Sequence, residues 1–247
     1  MGSLRGSEQR TFADPHRPHR LTAAARPPHH NQMSTTTFQR ARKPEEIRAR
    51  RDTLLAAAAE LFDAEGPLGA GLNAIAARAG FTKSNVYRYF ESREEVLLSL
   101  FLTEMEQLVP AFAAAIAAAP ENDLDALARA VTQQFVSRPR FGQLTSILSS
   151  TLEANVSEET IIMVKRSMGA MAAEMAVALR VRLPKASVED ALWAVTMIGS
   201  LVSGMWPAAH PAPAAERVLS RPEFAPLRLD IARDLPRAVR AILASIA

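Results

Sequence analysis

Residues 71–93, GLNAIAARAGFTKSNVYRYFESR, read as two short helices joined by a tight turn. Ile75, Ala76 and Ala79 fall on the inward face of the first helix. Ala79 is small enough for a second helix to cross closely, and Gly80 supplies the backbone freedom that the turn requires. Thr82 stands where a hydroxyl can cap the next helix by accepting an unpaired backbone N–H. Val86 and Phe90, four apart, point back into the domain. Lys83, Ser84 and Asn85 present donors and acceptors at the helix N-terminus, and Tyr87 carries a phenol outward. A helix pair of this kind lays its second member in a DNA major groove, with base edges at the helix start and phosphates on its flanks.

The rest of the chain is helical in pattern. Ile47, Leu54, Ala58, Leu61 and Phe62 recur at helical spacing from Lys43 onward, and Gly66-Pro67 stops this first helix. Ser92 and Glu95 make a capping box for a fourth helix with the stripe Val96, Leu97, Leu100, Phe101, Met105 and Leu108. Pro110 is expected to kink or end it. A fifth helix is predicted over 123–136 and a sixth over 141–154. The seventh, over 158–183, carries Ile161, Val164, Met168, Met171 and Met175 on one face. Ser187 caps an eighth, with Val188, Leu192, Val195 and Val202 on one stripe, that runs to Trp206-Pro207. Residues 207–227 read as irregular, and a last helix shows Leu235, Val239, Ile242 and Ile246. No strand alternation occurs. The predicted fold is all-α, an N-terminal three-helix helix-turn-helix domain followed by a larger C-terminal helical bundle.

Upstream of the opening stretch stands Arg51-x-x-Leu54-x-x-Ala57-Ala58-x-x-Leu61-Phe62-x-x-x-Gly66, and downstream Ser92-Arg93-Glu94-Glu95-Val96-Leu97. Together, over about residues 45–105, these resemble the TetR family of one-component transcriptional repressors. Two positions depart from its pattern: Gly71 replaces the usual Thr, and Arg93 the usual Lys. Glycine is an acceptable N-cap and arginine still pairs with phosphate. The resemblance implies that Thr82, Lys83, Ser84 and Asn85 face the groove while Tyr87, Tyr89 and Arg93 contact phosphates. Lys83 then suits guanine O6/N7 and Asn85 suits adenine. Arg48, Arg50 and Arg51 are further candidates for phosphate, although Arg51 is equally placed to pair with an acid.

The same resemblance implies double-stranded operator DNA, a small-molecule effector and a second copy of the chain as partners, a cytoplasmic setting, and neither cofactor nor membrane. It implies a DNA-binding domain (44–93) and a ligand-binding, dimerising domain (94–247), preceded by a basic tail (1–43) that composition reads as disordered.

Composition is consistent with this plan. The 247 residues are 48% hydrophobic and only 6% aromatic, which favours an aliphatic, Ala-rich helical interior. Residues 1–93 carry net charge +6, which leaves −3 on the remainder. A basic front fits nucleic-acid contact at one end. A basic tail alone explains it equally well, since residues 1–51 contribute +7. Residues 1–43 are rich in Pro, His and Arg with no apolar repeat, so disorder is the default there. Met33 is a candidate start, with 1–32 an extension. Cysteine is absent, which excludes disulfides and thiol catalysis. No run of about 18 apolar residues is found, so no membrane-spanning helix is expected.

Two groups stand out in the C-terminal half. Gly199, Ser200, Ser203 and Gly204 lower helix propensity in the eighth helix and call for a packing reason. The resemblance supplies one, pairing that helix and the last with their symmetry mates; packing within one subunit is the alternative. Methionines cluster in the seventh and eighth helices. They read as ordinary core or, by the resemblance, as the lining of an apolar cavity with the wall Phe101, Met105, Phe112, Met168, Met171 and Met175. Glu104, Arg129, Glu153 and Lys165 are the charged candidates for such a cavity.

Catalysis is disfavoured. Outside the tail there is one histidine, His210, and the chain has no P-loop and no GxSxG. The carboxylate pairs Glu45-Glu46, Glu94-Glu95 and Glu158-Glu159 sit at helix N-termini, where the helix dipole accounts for them. The other reading left open is a helical scaffold without operator-specific DNA binding.

Overall fold

The computed structural model describes residues 35–247, with side chains from residue 44, and every regular element in it is a helix. The expected tail up to residue 34 and the candidate start Met33 lie outside the described residues. Helix α1 (Thr35–Glu65) is already formed ahead of Lys43, where the apolar repeat begins. It ends at Gly66, whose φ of 73° is a left-handed conformation that favours glycine. Leu54, Ala58, Leu61 and Phe62 are buried on its inner face, while Ile47, read as part of that repeat, is exposed.

Helix α2 (Leu72–Ala79) buries Ile75 and Ala76 and ends at Gly80, left-handed at φ 71°. The amide of Phe81 returns to the carbonyl of Ala76 at 2.9 Å, closing the turn. Helix α3 (Lys83–Val86) is a single turn. The chain keeps coiling beyond it, with Phe90 N donating to Val86 O at 3.1 Å, so Val86 and Phe90 are both fully buried.

Helix α4 (Arg93–Ala118) starts at Ser92, whose Oγ accepts from Glu95 N at 3.1 Å. The Glu95 carboxylate accepts from Glu91 N at 2.6 Å rather than from Ser92, so the expected box is shifted by one residue. Pro110 neither ends nor breaks α4. It lies on the exposed side, where water can reach the Glu106 carbonyl that proline leaves unpaired.

Helix α5 (Leu124–Val136) is capped by Asp123, whose carboxylate accepts from Ala126 N at 2.8 Å. Helix α6 (Pro139–Ile147) is shorter than predicted. The chain rewinds as a π-helix over Leu148–Leu152 and a 3₁₀ turn over Glu153–Asn155. Helices α7 (Glu158–Arg180) and α8 (Val188–Ala209) follow, each capped by a serine hydroxyl. The stretch expected to be irregular contains helix α9 (Pro213–Leu219) and a 3₁₀ turn, Pro222–Leu227, both with proline in the first turn, where its missing N–H costs nothing. Helix α10 (Ile231–Ala244) buries Leu235, Val239 and Leu243 against α5 and α8.

One continuous apolar core runs through residues 54–246, with α4 lying against α5, α6 and α7. By length and composition alone, α4 and α8 are apolar enough to cross a membrane, contrary to the sequence expectation. In this fold 61% of the α4 window is buried, as suits a core helix, against 33% for α8, which keeps apolar surface that one chain does not cover.

Candidate nucleic-acid interface and effector cavity

Thr82, Lys83 and Ser84 are exposed together at the start of α3, with Asn85 half-buried beside them. The Thr82 hydroxyl does not cap the helix as expected. It pairs with Ser84 Oγ at 3.1 Å, because a neighbouring hydroxyl competes for it. Lys83 Nζ lies 5.8 Å from the centre of the Tyr87 ring, a cation–π distance that holds the ammonium beside the phenol. Tyr87 is 49% exposed, Arg88 is exposed and Tyr89 is half-buried against the core. Arg93 folds onto its neighbour, Nη2 donating to Glu94 Oε1 at 2.7 Å.

Arg51 turns inward. Its Nη2 donates to Ser99 Oγ at 2.7 Å and its guanidinium lies 5.0 Å above the Phe90 ring. It thereby joins α1 to α4 and to the coil that follows α3, and among the described residues no acid pairs with it. Arg48 and Arg50 remain exposed.

Between α4, α6, α7 and α8 lies a cavity of about 560 Å³. Phe101, Met105, Met168 and Met175 line it, as expected from sequence; Phe112 and Met171 do not. Phe112 shares the face of Phe101 on α4 but meets the edge of Phe135, centroids 6.4 Å apart, and Phe135 is the wall at that end. Met171 falls off the arc made by Lys165, Met168, Ala172 and Met175, at 100° per residue, and packs on the core instead. Phe141 of α6 completes the aromatic floor, stacked on Phe101 with centroids 5.6 Å apart.

The cavity wall on α6 is joined to the helix-turn-helix by Arg140. Its Nε donates to Asp63 Oδ1 at 2.9 Å, its Nη2 to Asp63 Oδ2, and its Nη1 to Glu104 Oε1 at 2.6 Å. Asp63 belongs to α1 and Glu104 to α4. The hydrogen bond to Asp63, opposed by partial burial and reinforced by Glu104, holds the guanidinium pKa above its ordinary value. Glu104, a candidate for contacting a ligand, is spent here and is absent from the cavity wall. Arg129 is exposed and also absent from it. Lys165 is on the wall, with Nζ 2.6 Å from Glu153 Oε1, an ion pair outside hydrogen-bond angles.

The same short helix meets α8. A Cβ on Gly142 would lie 2.2 Å from the Trp206 ring, so only glycine admits the indole there. Trp206 in turn stacks on His210, centroids 4.3 Å apart. Gly199 and Gly204 have open space where a Cβ would be, so among the described residues no helix approaches them closely. Sequence reading missed Arg140, Phe141 and Gly142. A glycine inside a helical pattern three residues after Pro139 was the available signal. Among the described residues, no group of three His, Cys, Asp or Glu is placed to hold a metal ion.

Residues 54–100 match the family model described as bacterial regulatory proteins, tetR family, and residues 102–245 match the tetracyclin repressor-like C-terminal domain. Among solved structures, the fold is similar to that of a TetR-family transcriptional regulator from Streptomyces coelicolor. That match has 17% identity over 80% of this chain and 99% of that one, with a TM-score of 0.52. A Rhodococcus sp. RHA1 protein described as a transcriptional regulator is similar at 17% identity, covering 79% of this chain and 94% of that one, with a TM-score of 0.54. These identities speak to fold alone. No curated protein matches the chain.

Proposed function

Since this chain belongs to the TetR family of bacterial transcriptional regulators, a regulatory and non-enzymatic family, we propose that it is a ligand-responsive repressor. It works as a homodimer that holds double-stranded operator DNA and releases it when a small apolar effector occupies the cavity beside α6. In this reading Thr82, Lys83, Ser84 and Asn85 meet base edges, and Tyr87, Tyr89 and Arg93 meet phosphates. Lys83 is the chief base reader.

The observation that carries the proposal is Arg140. One short helix supplies Phe141 and Thr145 to the cavity and, through Arg140, grips α1 of the helix-turn-helix. A ligand that displaces α6 acts on the reading head through that grip. By linkage, an effector that binds better when the two heads are wrongly spaced weakens operator affinity by the same differential free energy.

The proposed dimer uses α8 and α10. Trp193 is 46% exposed and Val188 58%, and Gly204 is open to a close neighbour. A two-fold dimer reads an inverted repeat. The test is fluorescence anisotropy on duplexes tiled across the DNA flanking the reading frame. One inverted-repeat duplex should bind far more tightly than random duplex and be released by an apolar compound. Equal affinity for every duplex would defeat the proposal.

A further inference from the structure

We propose that the effector is an uncharged amphiphile with a hydrogen-bond donor, such as a hydroxyl, along one edge. This rests on the cavity being the effector site. Its α8 wall carries Thr196, Ser200 and Ser203, spaced by four and three so that they share one helix face. Each hydroxyl has already given its proton to a backbone carbonyl: Thr196 Oγ1 to Leu192 O at 2.8 Å, Ser200 Oγ to Thr196 O at 3.0 Å, Ser203 Oγ to Thr145 O at 3.1 Å. A hydroxyl has one proton and two lone pairs, so each of these oxygens is left as an acceptor. Across the cavity, Phe101, Met105, Phe141 and Met175 offer nothing polar. Thr145 of α6 also lines the site, and its buried hydroxyl has no partner among the described residues. The polar edge facing the apolar floor thus accepts at three oxygens and can donate at one, a pairing that a hydroxyl satisfies in both directions.

Charge is balanced before any ligand enters. Among the described residues Lys165 is the only charged side chain on the wall, and the mostly buried Glu153 carboxylate already sits on it. A carboxylate ligand must compete with that carboxylate, and a cationic ligand meets the ammonium. Lys165 is half exposed, so water softens the penalty. Either sign still leaves a ligand charge or the mostly buried Glu153 carboxylate poorly paired beside apolar surface, and the site favours neutrality.

The test measures binding of decanol, its methyl ether, decanoate and decylammonium to the full-length protein, by calorimetry, together with operator release. Decanol should bind about fivefold more tightly than the ether, which accepts but cannot donate, and more tightly than either ion. The Thr196→Val/Ser200→Ala variant should bring the alcohol-to-ether ratio to about one. Glu153→Gln, which uncovers Lys165, should raise decanoate affinity about tenfold relative to decanol. Decanoate binding best to the parent protein, or an ether as tight as the alcohol, overturns the inference and leaves the cavity as the effector site. If none of the four binds or releases operator, the cavity reading falls and the inference with it. The parent protein's ratios decide the matter even if a variant fails to fold.

Discussion

Asp63 and Arg140, 77 residues apart in sequence, form a two-pronged carboxylate–guanidinium pair between the last turns of α1 and the first turn of α6. The same guanidinium holds the buried Glu104 of α4. Replacing Arg140 with Ala strands that carboxylate in the interior. Destabilisation of about 2 kcal/mol is expected, less than the ~3–5 kcal/mol of a fully buried pair, because Asp63 is half exposed. Arg140→Met with Glu104→Leu should recover most of the melting temperature yet release operator poorly on ligand addition. Normal release by that double variant would place the coupling elsewhere.

At the proposed reading head, Lys83→Ala should cost about 1–3 kcal/mol of operator affinity and relax base preference at one position per half-site. Tyr87→Phe should weaken all sequences evenly, since a phosphate contact carries no base information. Anisotropy on a set of single-base operator variants separates the two patterns.

Gly142→Ala drives a methyl group into the Trp206 indole. The ring must move, and a loss of about 1–3 kcal/mol is expected from overpacking. Tryptophan emission should shift to the red as the buried indole meets water. An unchanged spectrum and melting temperature would contradict the packing described.

Gly204→Glu tests the dimer. Position 204 is exposed and a Cβ there meets nothing, so the isolated fold should tolerate the change. Sedimentation should nevertheless report monomers, and operator affinity should fall. A stable dimer of this variant would move the interface off α8.

Met168→Trp tests the cavity with a residue on its wall. The variant should keep operator binding and lose release by ligand, with a melting temperature near the parent's. Strong destabilisation with release intact would make Met168 ordinary core.

The parts of the fold that follow from local pattern were legible in the sequence. Val86 and Phe90 share a face because they are four apart, Gly80 adopts the left-handed turn, and Ser187 caps as its position suggests. What depends on distant neighbours was not. Nothing local distinguishes Arg51, aimed inward at Ser99 and Phe90, from Arg48 and Arg50, left in solvent. The sixth helix read as uniform because a π-turn has no side-chain signature of its own; it is a product of packing. Four of six expected cavity residues line the wall because helical spacing fixes direction around the axis. Depth along the axis, which excludes Phe112, comes only from the neighbouring Phe135.

Helix α4 runs without interruption from the helix-turn-helix to the cavity floor, and the hydrophobic core continues with it. Reading head and ligand domain should therefore melt in one calorimetric transition. A ligand at a hundred times its dissociation constant adds about 2.7 kcal/mol to the unfolding free energy of everything in that transition, the helix-turn-helix included. The effector-bound protein should thus have better protected α2 and α3 amides at the moment it loses DNA. Under the proposed mechanism, derepression is then the parting of two intact, stiffened heads from their half-sites, and proteolysis of the released form should be slower than that of the free apoprotein.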